Sequence, residues 1–289
     1  MTAAPQRVLV LGGTGMLGHA VVGVFAEAFG VGATARDATA GARHGLPGEW
    51  LSFDAVQDDP RALLLRVCPD AVLNAIGLVK QLPEGQSPEA AIRLNALLPH
   101  QLAAACADAG ARLVHVSTDC VFSGELPEPA RYREDDVPDA RDVYGRSKLL
   151  GEIHVAPTLT IRTSIIGREL TRASGLLEWF TARAGEQVDG FRRARFSGLT
   201  TRELARIIRR VLLEHPQLSG VWHVAGEPID KYTLLLGLRA ALGVDCEIVA
   251  RDEPVINRAL DATRFDTVTG YRPPTWAQML EEFVTPPRA

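Results

Sequence analysis

Tyr144-Gly145-Arg146-Ser147-Lys148 sets a phenol and an ammonium four residues apart. On a helix such a pair lies on one face. A tyrosine phenol titrates near 10 unaided, and a cation one turn away favours phenolate and lowers that value. A phenol so placed can give a proton to a carbonyl oxygen as hydride reaches the carbon, and take it back in the reverse reaction. The lysine can also hold ribose hydroxyls. Alone, this spacing is common by chance and favours a solvated helix face. Ser117-Thr118-Asp119, ending the apolar run 111–118, adds a hydroxyl that can hydrogen-bond a carbonyl beside the phenol; Thr118 can equally cap a turn or helix.

A third feature lies at the start of the chain. The apolar run 7–12 passes directly into Gly12-Gly13-Thr14-Gly15-Met16-Leu17-Gly18, a GxxGxxG turn that opens a helical pattern. Gly12 permits the tight turn, Gly15 admits a pyrophosphate, and Gly18 lets helix and strand pack closely. The backbone N–H groups around Thr14, Met16 and Leu17, with the helix dipole, then hold the anion. The end of the second strand selects the dinucleotide, an acid binding ribose hydroxyls and an arginine accepting a 2′-phosphate. Arg36 comes first and favours NADPH, while Asp37 leaves NADH open. Asp54, ending the third strand, is a candidate partner for the adenine or a turn and capping residue.

These groups need a scaffold. The runs 7–12, 31–35, 49–54, 71–77, 111–118 and 159–167 read as strands. Helical patterns at 16–29, 60–67 and 87–110 separate them. Strands without alternation, separated by helices, predict an α/β fold with a doubly wound parallel sheet covered on both faces. Ligands of such sheets bind beyond the carboxyl ends of the strands. The Pro-rich, acidic stretch 119–143 reads as a long loop, and loops in that place are often lids. Beyond it the expected elements are helices near 175–185, 200–214 and 231–243 and a strand at 220–226. The division predicted is a dinucleotide-binding part over 1–165 with return segments around 195–225, and a smaller C-terminal α/β substrate-binding part over 166–194 and 226–289.

Composition excludes other classes. In 289 residues there are 31 Lys+Arg and 35 Asp+Glu, a formal net charge of −4. That sign argues against a nucleic-acid partner. Cys68, Cys106, Cys120 and Cys246 form no CxxC and suit a reducing cytoplasm rather than a disulfide framework or zinc site. No long apolar window predicts a membrane span, and the N-terminus does not read as a signal peptide.

The segments 12–18, 73–77, 117–124 (STDCVFSG), 144–152 (YGRSKLLGE), 159–167, 197–208 and 220–227 resemble an extended short-chain dehydrogenase/reductase, most closely the dTDP-4-dehydrorhamnose reductase group of sugar-nucleotide reductases. The resemblance implies a Rossmann-like sheet and a catalytic set of Thr118, Tyr144 and Lys148. It implies Gly12, Gly15 and Gly18 at the cofactor pyrophosphate, and the backbone of Ala75, Ile76 and Gly77 along the cofactor. It implies a C-terminal part that binds a nucleoside diphosphate sugar, and it admits a homodimer without fixing the oligomeric state. The reaction implied is reduction of a 4-keto-6-deoxy nucleotide sugar. Two departures face the sugar: Ile165 where the group has Trp, and Cys120 where it often has Tyr. The phrases GLVKQ and INRALDATRF are closer to reductases of UDP-linked deoxy-amino sugars.

Related enzymes sharpen the choice. Sugar-nucleotide 4,6-dehydratases carry Asp-Glu after the threonine, and here Asp119-Cys120 stands instead. GDP-fucose synthases place an acid/base cysteine two residues after the catalytic hydroxyl, as Cys120 stands here, which keeps an epimerase or epimerase/reductase open beside a packing role. The family also includes cofactor-binding regulatory subunits, against which the intact Thr118, Tyr144 and Lys148 set argues. Arg192, Arg193 and Arg195 are candidates to clamp the substrate diphosphate or form a solvated edge. Arg258 and Lys80 are similar candidates. His115 reads as a satisfied buried histidine, and Trp179 as helix packing.

Overall fold

The computed structural model describes residues 5–79, 87–171 and 173–284. Its elements in chain order begin with β1 (Arg7–Leu11), α1 (Gly18–Phe25), β2 (Gly30–Ala35), α2 (Ala40–Arg43), β3 (Glu49–Ser52), α3 (Pro60–Val67) and β4 (Ala71–Asn74). Next come α4 (Pro88–Ala91), a π-turn (Ile92–Leu97), α5 (Leu98–Ala109), β5 (Arg112–Val116), a 3₁₀ turn (Asp119–Val121), α6 (Val143–Leu150), β6 (Leu159–Arg162) and β7 (Ile165–Ile166). The last are α7 (Leu176–Thr181), β8 (Gln187–Phe191), β9 (Ala194–Phe196), β10 (Leu199–Thr200), α8 (Thr201–Glu214), β11 (Gly220–His223), β12 (Ile229–Asp230), α9 (Lys231–Leu242), β13 (Glu247–Arg251), β14 (Ile256–Arg258), α10 (Thr263–Thr269) and α11 (Trp276–Glu281).

Seven strands form one sheet in the order β11-β6-β5-β4-β1-β2-β3, and every neighbouring pair is parallel. This is the doubly wound, Rossmann-like sheet expected. Its central strands are mainly apolar because both faces are covered. On one face Val8, Val10, Leu73 and Val114 pack with Val21 of α1 and Ile208 of α8. On the other, Leu9, Leu11, Val72 and Leu113 pack with Leu64 of α3 and Leu102 of α5. Strand order reverses between β1 and β4, which opens a crevice beyond their carboxyl ends. Smaller sheets, β10-β7, β12-β9-β14 and β13-β8, carry a separate apolar cluster around Phe180, Leu234 and Leu238. Among the described residues, no helix is long and apolar enough to cross a membrane.

Three details differ from the sequence expectation. The run 159–167 is two strands in two sheets: after Arg162 the carbonyls of Thr163 and Ser164 accept from Asp119 and Leu199, which turns the chain away from the large sheet. The helical run 87–110 contains the π-turn. Pro99 has no N–H to return to the Asn95 carbonyl, and Gly151 packs onto that carbonyl so closely that an added Cβ would lie 2.0 Å from it. The stretch 119–143 is pinned rather than loose. It makes β-bridges from Glu125 to Asn257 and from Tyr132 to Leu260, and the Tyr132 ring stacks on Phe122 at 4.1 Å. It is a strap, with the apolar cluster of Val121, Phe122, Tyr132, Leu260 and Ala262 beneath it.

Candidate active site

The glycine turn has the geometry of an anion cradle. Gly12 adopts φ +77°, and its N–H donates to Thr34 Oγ1 at 3.2 Å. Gly15 N–H closes the turn on the Gly12 carbonyl at 2.9 Å. An added Cβ on Gly18 would lie 2.0 Å from that same carbonyl, so only glycine fits there. The N–H groups of Thr14, Met16 and Leu17 find no acceptor among the described residues. Three such donors at a helix N-terminus fit a pyrophosphate. The turn abuts the loop after β4: a Cβ on Gly12 would meet Ile76 Cγ1 at 3.0 Å and the Ala75 carbonyl at 3.3 Å.

Lys148 reaches the same loop from α6. Its Nζ donates to the Val116 carbonyl at 2.6 Å and lies 3.8 Å from where a Cβ on Gly77 would stand. Burial holds the ammonium down to about 8, with Glu152 acting in the opposite direction. Tyr144 lies one turn earlier on α6, whose Asp142 side chain caps it by accepting from Gly145 N–H at 2.7 Å. Gly145 itself leaves room for the Cys120 carbonyl, 2.2 Å from where a Cβ would be. Burial pushes the phenol above its ordinary value; Cys120, Asp119 and Asp142 add to this, while a hydrogen bond with Thr118 opposes it. The expected lowering of the phenol by Lys148 is therefore not what the structure gives. The tyrosine holds its proton, which is the form a proton donor needs.

Thr118 ends the loop after β5, where its Oγ1 accepts from Cys120 N–H at 3.1 Å and donates to Asp119 Oδ1 at 3.3 Å. It is thus both the turn cap and a hydroxyl beside the phenol. Asp119 is buried, which pushes its carboxyl up, while Arg258 and Lys231 act to lower it. Cys120 opens onto a cavity of about 260 Å³ lined also by Phe122, Ser123, Glu125, Arg141, Asp142 and Arg258. Arg258 donates to the Phe122 and Ser123 carbonyls at 2.9 and 3.0 Å, which aims it along this wall.

Each remaining candidate has its own surroundings. Arg36 is exposed and makes no ion pair among the described residues. Asp54 forms a turn, its Oδ1 accepting from Val56 N–H at 2.9 Å. Arg195 pairs with Glu128 of the strap at 2.8 Å, whereas Arg192 faces Asp252 at 3.8 Å and the Tyr232 ring. Arg193 is exposed. Lys80 lies outside the described residues. His115 is buried and meets Asn74 through Nδ1 at 3.1 Å, but its Nε2 has no partner, so it is only half satisfied.

Two supports escaped the sequence reading. Asn95, in the π-turn, joins the loop after β4 to α6: it accepts from Leu78 N–H at 2.8 Å and donates to Leu78 O at 3.0 Å and Ser147 Oγ at 3.1 Å. A polar residue inside an apolar helix, four before a proline, was the available signal. Beneath α6, Glu152 takes a bidentate pair of bonds from Arg162 at 2.8 and 2.7 Å and one from Ser117 Oγ at 2.7 Å, all buried.

The family model of the RmlD substrate binding domain matches residues 6–288. A dTDP-4-dehydrorhamnose reductase of Mycobacterium tuberculosis is 45% identical over 86 residues, 29% of this chain and 28% of that protein, so the match spans little more than a quarter of the relative. The methionine adenosyltransferase 2 subunit beta of Bos taurus is 26% identical over 298 residues, 93% of this chain and 84% of that one. The crystal structure of the dTDP-4-dehydrorhamnose reductase of Bacillus anthracis in complex with NADP superposes with a TM-score of 0.75 at 19% identity, covering 96% of this chain and 98% of that one. At that identity the likeness shows the shared fold.

Proposed function

The chain belongs to the RmlD substrate binding domain family, and from that premise we propose that it is an NADPH-preferring reductase of a 4-keto-6-deoxy nucleotide sugar. The observation that carries the reading is the meeting of a buried amine, a protonated phenol and a strand-end hydroxyl around one crevice with the glycine turn. A bound reduced nicotinamide supplies the hydride. Tyr144 gives its proton to the substrate's carbonyl oxygen. Thr118 orients and hydrogen-bonds that oxygen. Lys148, cationic below about pH 8, holds ribose hydroxyls and stabilises the phenolate left behind. Arg258 faces the substrate in the cavity beside Cys120. An exposed Arg36, without an ion pair among the described residues, supports the preference for a 2′-phosphate.

The test is NADPH consumption with a panel of 4-keto-6-deoxy nucleotide sugars, wild type against Tyr144→Phe. We expect the variant to fold normally and lose about 10²–10⁴ in kcat. Near-normal turnover would remove Tyr144 as the proton donor.

The likeness to a methionine adenosyltransferase subunit over most of the chain supports a second reading, a cofactor-binding regulatory subunit. It predicts cofactor binding with no turnover on any keto sugar. Placement of Cys120 in the cavity keeps epimerisation before reduction as a variant of the first reading. Solvent deuterium incorporated next to the carbonyl, and lost in Cys120→Ser, would reveal it.

A further inference from the structure

We infer that Arg43 is a specificity-determining residue for the dinucleotide, acting through Asp37: it cancels a carboxylate that would otherwise repel a 2′-phosphate. The inference rests on the reading that a nicotinamide dinucleotide lies along the glycine turn. Past the end of β2 stand Arg36 and Asp37, adjacent residues of opposite sign. A 2′-phosphate gains from the first and loses from the second, whereas a ribose diol gains from the second.

Both oxygens of Asp37 are already engaged. Oδ1 accepts from Thr39 N–H at 2.9 Å and Thr39 Oγ1 at 2.8 Å, and Oδ2 accepts from Arg43 Nη2 at 2.6 Å. A ribose hydroxyl would have to displace one of these donors. Arg36, by contrast, accepts at its carbonyl from Ser52 Oγ at 3.0 Å, and its guanidinium makes no ion pair among the described residues. With Arg43 the three side chains sum to one positive charge; without it they sum to zero.

An exposed ion pair holds weakly in isolation, but this one is placed by backbone. Ala40 N–H donates to the Asp37 carbonyl at 3.1 Å, so the turn leads straight into α2, which ends at Arg43. That helix rests on Trp50: a Cβ on Gly41 would lie 2.1 Å from the indole Nε1. The other edge of the same indole lies 2.8 Å from where a Cβ on Gly13 would be. One aromatic ring thus spaces the phosphate turn and the helix carrying Arg43.

The experiment measures dissociation constants of NADPH and NADH by fluorescence, and of adenosine 2′,5′-bisphosphate by calorimetry. It uses the whole chain as wild type, Arg43→Gln, Asp37→Asn and the double variant. A unit charge acting through water on a nearby phosphate changes affinity about three- to fivefold, less at high salt. Arg43→Gln should weaken NADPH and the bisphosphate by about that factor while leaving NADH unchanged or tighter. Adding Asp37→Asn should restore wild-type affinity. A double variant as weak as Arg43→Gln alone would mean that Arg43 touches the phosphate itself, and an unchanged Arg43→Gln would mean that it has no part; either overturns the inference. Wild-type protein that binds neither dinucleotide overturns instead the cofactor reading beneath it.

Discussion

Asn95 donates to Ser147 Oγ at 3.1 Å, and Ser147 passes a bond to the Tyr144 carbonyl at 2.9 Å. The other side of the Asn95 amide holds Leu78 at both N–H and C=O. One buried amide therefore fixes the loop after β4 relative to the helix that carries the phenol and the amine. Asn95→Ala orphans the Leu78 backbone and loosens both. We expect a stability loss of about 2–4 kcal/mol by urea titration, with NADPH affinity and kcat falling together. A variant of native stability whose KM for the sugar alone rises would contradict this.

Lys148 carries a pH signature. Its folded value, about 8, lies below the 10.5 of the unfolded chain, so between these values the unfolded state binds more protons and stability from this group rises with pH. Its cost to the fold is fully present below about pH 8 and fades toward 10.5. The stability of Lys148→Met relative to wild type should therefore decline as pH rises through that window, read by thermal melts. Reductase kcat/KM of the wild type should fall above about pH 8 as the cation is lost. A flat difference across the window would contradict the burial of a charged amine.

The Glu152–Arg162 pair is buried, with side chains 0% and 3% exposed. Removing one partner leaves an uncompensated charge, and Glu152→Gln or Arg162→Met should each cost about 3–5 kcal/mol. Replacing both with apolar residues should cost far less. Denaturant midpoints of the three variants decide the matter; additive losses would show that the pair is not coupled.

Two glycines of α1 should part company. Gly18→Ala forces the turn off the Gly12 carbonyl and should abolish measurable NADPH binding. Gly23→Ala meets nothing within 4 Å and should stabilise the protein by about 0.5–1 kcal/mol with binding intact. Equal behaviour of the two would remove the glycine turn from the cofactor site.

What was legible in the chain follows from the range of each interaction. The parallel sheet, the glycine turn and the Tyr144–Lys148 spacing are local patterns, written within a few residues. Asp37 illustrates the limit: its letter suggests a ribose ligand, and only the fold shows Thr39 and Arg43 occupying both its oxygens. The phenol was misjudged for the same reason. Spacing puts Lys148 beside it, but burial, followed by the neighbouring Cys120, raises its proton affinity. Asn95 stands out locally only as a polar residue before a proline; its bonds to Leu78 and Ser147, like the strap's contacts, join residues far apart in sequence.

The cavity wall formed by Ser123, Glu125 and Arg258 hangs from the strap and from β14, which are bonded to each other through Asn257 and Arg258. Those three side chains thus stand on other elements than Tyr144 and Lys148 of α6. Under the proposed function, exchanging exposed side chains of that wall alters recognition while α6 keeps its place. Because Val121, Phe122 and Asn257 are buried, a library confined to positions 120, 123 and 125 is the economical place to seek altered preference under that proposal.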